Sequence, residues 1–290
     1  MKAWIYCSYL FIFSLVTTQA EEIRMAASDL LADYISPQLK AFAEEKKLDL
    51  KIEGLGSLPA MERLKSDEID LAIIAVPEGE DVAREEFSIY PFAYDAAVIV
   101  VNSSNPMDEI SIPRLGGIFG TNEEFNFNTW GELGLTGWGT RNIKPLAGPS
   151  EGSVSLELFR HSVFTGGGMK SSVSVIRDTE LEEALKSNVA SIGVISALPK
   201  SKNLKVLMVS KEDGTQSPAF GPTLENIHLG DYPLRLSFYI VFRPDNEEKV
   251  KDVVGLLLRD EIAAALIKNK LFSLPEAVRN QLLSGLNYKE

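Results

Sequence analysis

The unbroken apolar run Leu71-Ala-Ile-Ile-Ala-Val76 constrains the fold more than any other stretch of the chain. A strand with one wet face alternates apolar and polar residues. A strand without that alternation is buried on both faces, as when helices cover both sides of a largely parallel sheet. The residues before it supply the helices. Ile23-Arg-Met-Ala-Ala27 reads as a strand, and Leu30–Glu45 as a helix with Leu31, Ile35, Leu39 and Phe42 on one face. Leu48, Leu50 and Ile52 alternate with charged residues in a second strand. Pro37, inside the helical pattern, predicts a kink or a delayed start. Gly54-Leu-Gly-Ser57 is a turn leading to a short helix over Met61–Lys65. This β-α-β-α-β order predicts an α/β fold with crossover helices.

A second buried run, Ala96–Val101, stops at Asn102-Ser-Ser-Asn-Pro106. From Gly116 to Gly152, Gly, Asn and Thr dominate, which predicts loops and short elements. Helices are expected over Ser155–Val163 and Glu180–Ser187, separated by Gly166-Gly-Gly168. Strands are expected over Ser191–Ser196, Leu204–Val209 and Leu236–Phe242, and one long amphipathic helix over Glu247–Lys268.

The N-terminus is laid out as a secretory signal peptide. Lys2 precedes apolar Ala3–Val16, and polar Thr17-Thr-Gln19 leads to small Ala20, the expected cleavage position. The apolar core is short for a bilayer span, and Arg259-Asp-Glu261 interrupts the other apolar region, Val253–Ile267. The expectation is therefore a periplasmic or otherwise exported protein with residues 1–20 removed and no stable membrane insertion. The one cysteine, Cys7, lies in that leader, so no disulfide is expected. Lys plus Arg number 29 against 41 for Asp plus Glu, a net charge of −12. That balance repels nucleic acid and anionic lipid, and no basic run offsets it. There is no Cys pair, no His-x-x-x-His and no Gly-x-x-x-x-Gly-Lys-Ser/Thr, so no metal, cofactor or nucleotide chemistry is expected. His161 and His228 read as surface residues, and catalysis is not expected.

Several short stretches, weak singly, are specific in their order and spacing. They are Tyr90-Pro-Phe-Ala-Tyr-Asp-Ala-Ala-Val-Ile-Val-Val-Asn102, Ile118-Phe-Gly120, Asn128-Thr-Trp130, Ser191-Ile-Gly-Val-Ile-Ser196, Pro222-Thr223 and Tyr232-Pro-Leu234 running into Tyr239-Ile240. Through them the chain, from about Ile23 to Phe242, resembles the phosphate-binding-protein-like branch of the bacterial periplasmic solute-binding proteins. The resemblance implies two α/β lobes joined by two crossover strands, closing over a ligand by a hinge motion. Lobe I would comprise 21–97 plus 197–290 and lobe II 98–196, with the hinge near Ala96–Val98 and Ile195–Ala197. It further implies a monomer that captures a small oxyanion such as phosphate and serves the membrane subunits of an ABC importer. The alternative is an envelope scaffold on the same fold, with its cleft filled by Leu30, Leu58 and Val76.

Three loops supply the anion donors in that family. Helix N-termini offer free amides and the positive end of the peptide dipoles, so they hold anions without net positive charge. In the first loop Ser28 fits as donor, while Asp29 would compete with an anion and reads as a helix N-cap. In the second, Gly56 and Ser57 match the family turn, and Ala60 stands in place of its later Gly. Pro59 lacks an N–H. Where the family often places Ser-Arg or Ser-Asp after the third strand, this chain has Ala75-Val-Pro77. In the third loop Ser153 and Ser155 match, Val154 replaces Gly, and the family's Arg falls near Pro149. Arg141, Lys144, Arg160 and Lys170 are available as substitutes, none favoured by spacing. Tyr94, Trp130 and Trp138 line the cleft or belong to the core.

Overall fold

The computed structural model describes residues 22–80, 84–148 and 154–286. The leader and Ser153 lie outside the described residues. The chain opens with β1 (Glu22–Ala27), α1 (Asp29–Lys46), β2 (Asp49–Gly54), α2 (Ser57–Lys65), β3 (Leu71–Val76) and β4 (Ser88–Ala96). It continues with β5 (Val98–Asn102), β6 (Glu109–Ser111), α3 (Ile112–Phe119), β7 (Lys144–Ala147), α4 (Ser155–Val163), β8 (Ser174–Val175), α5 (Asp178–Ser187), β9 (Ser191–Ile195), β10 (Leu204–Val206), β11 (Met208–Ser210) and α6 (Leu224–Leu229). It ends with β12 (Arg235–Phe242), α7 (Glu247–Leu257), α8 (Asp260–Lys268), β13 (Phe272–Ser273) and α9 (Glu276–Gly285).

Two main sheets result, ordered β13-β4-β12-β3-β1-β2 and β10-β5-β9-β7-β8, with β11 and β6 pairing separately. This is the mixed α/β architecture that the sequence pattern predicts, with two sheets for the two lobes that the resemblance implies. β3 is buried on both faces: Leu71 and Ile73 join the cluster containing α1, while Ala72 and Ile74 join Ala60 and Leu64 of α2. At roughly 1.5–3 kcal/mol for each large apolar side chain buried, this two-sided contact anchors the first lobe. At its base, buried Asp70 accepts from the Arg24 backbone amide at 2.8 Å and also pairs with the Arg24 and Lys249 side chains. Burial alone would raise the Asp70 pKa, but these partners hold it below the usual carboxylate range.

The chain crosses between the sheets at Ala97, between β4 and β5, so the expected Ala96–Val101 strand is two strands in two sheets. It returns beside that point, where Ala97 N–H donates to Leu234 C=O at 3.0 Å and Tyr232 O–H donates to Ala97 C=O at 2.7 Å. Tyr232–Leu234, not Ile195–Ala197, thus forms the second crossing. After Ile195 the chain re-enters the second sheet as β10, which pairs with β5.

Other elements also differ from expectation. α1 begins at Asp29 and runs through Pro37. The carbonyl that a proline leaves without its helical donor belongs to solvent-exposed Asp33. The single long C-terminal helix is two, because Arg259 adopts an extended conformation (φ −79°, ψ 165°) before α8. The expected Leu204–Val209 strand divides into β10 and β11.

Candidate functional site

β1, β2 and β3 run parallel, so their C-terminal ends share one sheet edge. Ala27 lies opposite Gly54, and Leu55 N–H donates to Ala27 C=O at 2.7 Å, holding the first two loops side by side. Ser28 is the N-cap of α1, its hydroxyl accepting from Leu31 N–H at 3.4 Å. Asp29 is therefore not the cap. It is the first helical residue, exposed, and its carboxylate lies over Gly54, where a Cβ would come within 2.1 Å of Oδ1. α2 starts from extended Gly56, without a side-chain cap, and the Ser57 hydroxyl accepts from Ala75 N–H at 2.8 Å. Each serine hydroxyl accepts here and keeps a hydrogen to donate.

Ser155, the first residue of α4, is buried. The amide just before it, Val154 N–H, donates to Asp95 Oδ2 at 3.0 Å, and Ala96 N–H donates to Asp95 Oδ1 at 2.8 Å. Asp95, at the end of β4, is fully buried. The start of α4 thus holds a carboxylate of the protein itself, satisfying the positive end of the helix. Burial raises the pKa of the neighbouring Tyr34 hydroxyl on α1, and the Asp95 charge adds to the rise.

A cleft of ≈ 630 Å³ opens between α4, the loop after β3 and the start of β12. Pro77, Ile112, Leu158 and Leu236 give it apolar walls, and Lys211 and Arg235 give it cations. Ser28, Ser57 and Ser155 are not among its lining residues. Its two carboxylates are engaged, Glu78 with Lys211 at 2.5 Å and Glu157 with Arg160 at 3.2 Å.

Arg235 is the cation that sequence reasoning missed. Nη1 donates to the Ser237 hydroxyl at 2.9 Å, and the guanidinium sits 5.6 Å from the Tyr94 ring centroid. Its Nε is buried without a hydrogen-bond partner. The available signal was a lone charge opening an apolar strand directly after Tyr232-Pro-Leu234. The cations considered from sequence are placed elsewhere: Arg160 pairs with Glu157, Arg141 lies over Trp138, Lys170 donates to Gly117 C=O, and Lys144 is exposed at the start of β7.

Tyr94 is buried, its hydroxyl 2.8 Å from His228 Nδ1. Burial pushes the Tyr94 pKa up to about 12, and burial together with the Arg235 charge lowers that of His228. Both are neutral near pH 7, and a single proton is shared between the phenol oxygen and Nδ1. His228 is thus a half-buried residue of α6, not the surface residue expected, while His161 is exposed on the cleft wall. Trp130 is fully buried, donating to Ala190 C=O and meeting Trp138 edge-on. Trp130 belongs to the main core cluster, and Trp138 packs against it. Leu58 is 79% exposed and fills nothing. Among the described residues there is no group of three His, Cys, Asp or Glu side chains able to hold a metal, and no helix is long and apolar enough to cross a membrane.

The profile of the PBP superfamily domain matches residues 14–261. The chain is 25% identical to Protein SphX of Synechococcus elongatus, over 78% of this chain and 71% of that protein. It is 24% identical to Phosphate-binding protein PstS of Pseudomonas aeruginosa, over 73% and 71% respectively. Among solved structures, a possible phosphate binding protein from Planctomyces limnophilus superposes with a TM-score of 0.71 at 17% identity, covering 92% of this chain and 98% of that one.

Proposed function

Because the chain belongs to the PBP superfamily, we propose that it is an exported solute-binding protein. It captures a small oxyanion of the phosphate class between its lobes and passes it, chemically unchanged, to an ABC-type importer. The observation that carries this reading is the shared edge at which β1 and β2 deliver the starts of α1 and α2, with Ser28, Gly56 and Ser57 side by side. Ligands bind beyond the carboxyl ends of parallel strands, and helix N-termini there favour negative charge. The printed names of the relatives SphX and PstS support the same ligand class.

Ser28, Gly56 and Ser57 from one lobe and Ser153 and Ser155 from the other would donate to the ligand oxygens. The division implied by the resemblance, 21–97 plus 197–290 against 98–196, is proposed with its second boundary moved past β10, whose pairing with β5 joins it to lobe II. Function in the periplasm follows removal of residues 1–20, as a monomer meeting the importer's membrane subunits. Neither cofactor nor catalytic step enters the proposal. A scaffold with an inactive cleft is the second reading, favoured by the Asp95 carboxylate at the start of α4. Calorimetric titration of the purified protein with phosphate, sulfate and arsenate separates them. Saturable heat with phosphate is expected. The absence of heat with all three at millimolar concentration would sink the oxyanion reading and leave the scaffold.

A further inference from the structure

A five-atom oxyanion needs only a few times the roughly 30 Å³ that one water occupies in the liquid. The cleft measures ≈ 630 Å³, which is the size range of sites for organic molecules. Its walls match that size. Ile112 and Leu158 face it from the second lobe, and Pro77, Pro233 and Leu236 from the first. At one end stands Arg235. Arg24, Arg63, Arg114, Arg243 and Arg279 each pair with a carboxylate. Among the described residues Arg235 has no such pair, although the protein is rich in acid. It is held by the Ser237 hydroxyl and the face of Tyr94, and Gly230 gives it room, since a Cβ there would come within 2.8 Å of Nη2. A fixed, half-buried guanidinium at the end of an apolar cleft is built for an anion carried on an apolar body.

We propose that Arg235 binds the oxyanion head of an organic ligand, an alkyl phosphonate or phosphate monoester, whose short apolar tail lies between Leu158, Ile112 and Leu236. The idea rests on the reading of the protein as an oxyanion binder, and it places the anion head in a cleft that Ser28, Ser57 and Ser155 do not line. It replaces the arginine that the third loop lacks with one from the opposite lobe.

The test is calorimetric titration of the full chain with inorganic phosphate, methylphosphonate and butylphosphonate. Each buried methylene is worth about fourfold in affinity, so butylphosphonate should bind at least about tenfold tighter than phosphate. Arg235→Gln should weaken butylphosphonate binding about ten- to a hundredfold. Leu158→Trp, which fills the apolar end and leaves the cation in place, should weaken butylphosphonate and spare phosphate. That variant also keeps the question open to test if Arg235→Gln does not fold. Phosphate binding as tight as or tighter than butylphosphonate overturns the proposal while leaving the oxyanion reading intact. Arg235→Gln folded with unchanged affinity likewise overturns it. If no compound binds, both readings fall together.

Discussion

Ser57 has two claims on one hydroxyl. Pairing of β1 with β3 stops at Ala27 and Ile73, so the amide of Ala75 has outrun its strand partner, and the Ser57 oxygen accepts it. Ser57→Ala should therefore lower stability by about 1–2 kcal/mol, measured by urea denaturation. If the remaining hydroxyl hydrogen serves the ligand, the same variant should also weaken phosphate binding about tenfold. Loss of stability with unchanged affinity would make Ser57 purely structural. The serines at the strand ends were legible in the sequence because their chemistry depends on near neighbours, a strand before and a helix after. Asp95 and Arg235 were not. Asp95 acts on the first turn of a helix far along the chain, and Arg235 gains its setting from Tyr94 through the pairing of β12 with β4. Such roles arise from long-range pairing that no local pattern encodes.

Elements with a strong local period were readable, and those set by partners were not. α1, α4 and β3 follow from apolar spacing. β4 escaped notice because Pro91 interrupts it. Its inner edge pairs with β12 along its length, whereas β13 pairs with the other edge only at Ala93 and Tyr94. Pro91 is thus free of a ladder that would need its missing N–H on that edge. The division between α7 and α8 had a cue in Asp260-Glu261, acids suited to a helix start, but the continuous apolar period masked it. α6 makes a prediction at this scale. Burial and the Arg235 charge hold His228 below the ordinary value of about 6.5. The unfolded chain therefore binds the proton first as pH falls. The contribution of His228 to stability is complete above about pH 6.5 and is lost as pH drops through its folded value. His228→Gln, whose amide can still hydrogen-bond to Tyr94, should flatten the fall in urea midpoint between pH 7.5 and 5.5 relative to wild type. Parallel curves would show that His228 does not titrate with unfolding.

At the scale of the whole molecule, the two crossings at Ala97 and Tyr232–Leu234 lie side by side, tied by two hydrogen bonds. The same topology dictates what a fragment can do. Residues 22–97 contain β1 through β4, but β3 and β4 are neighbours in neither sheet edge nor hydrogen bonding, because β12 stands between them. The isolated fragment should show no cooperative unfolding transition by circular dichroism. A cooperative transition would mean that β1, β2 and β3 fold as a unit without β12. Inserting β12 between β3 and β4 also fixes an order of completion. The lobe that opens the chain is finished after the one that follows it, since the slot at its centre waits for residues made only once the second lobe's strands exist. Throughout synthesis the apolar edge of Leu71–Val76 stands open, and the nascent chain presents a binding surface to chaperones or to other chains that the finished protein conceals.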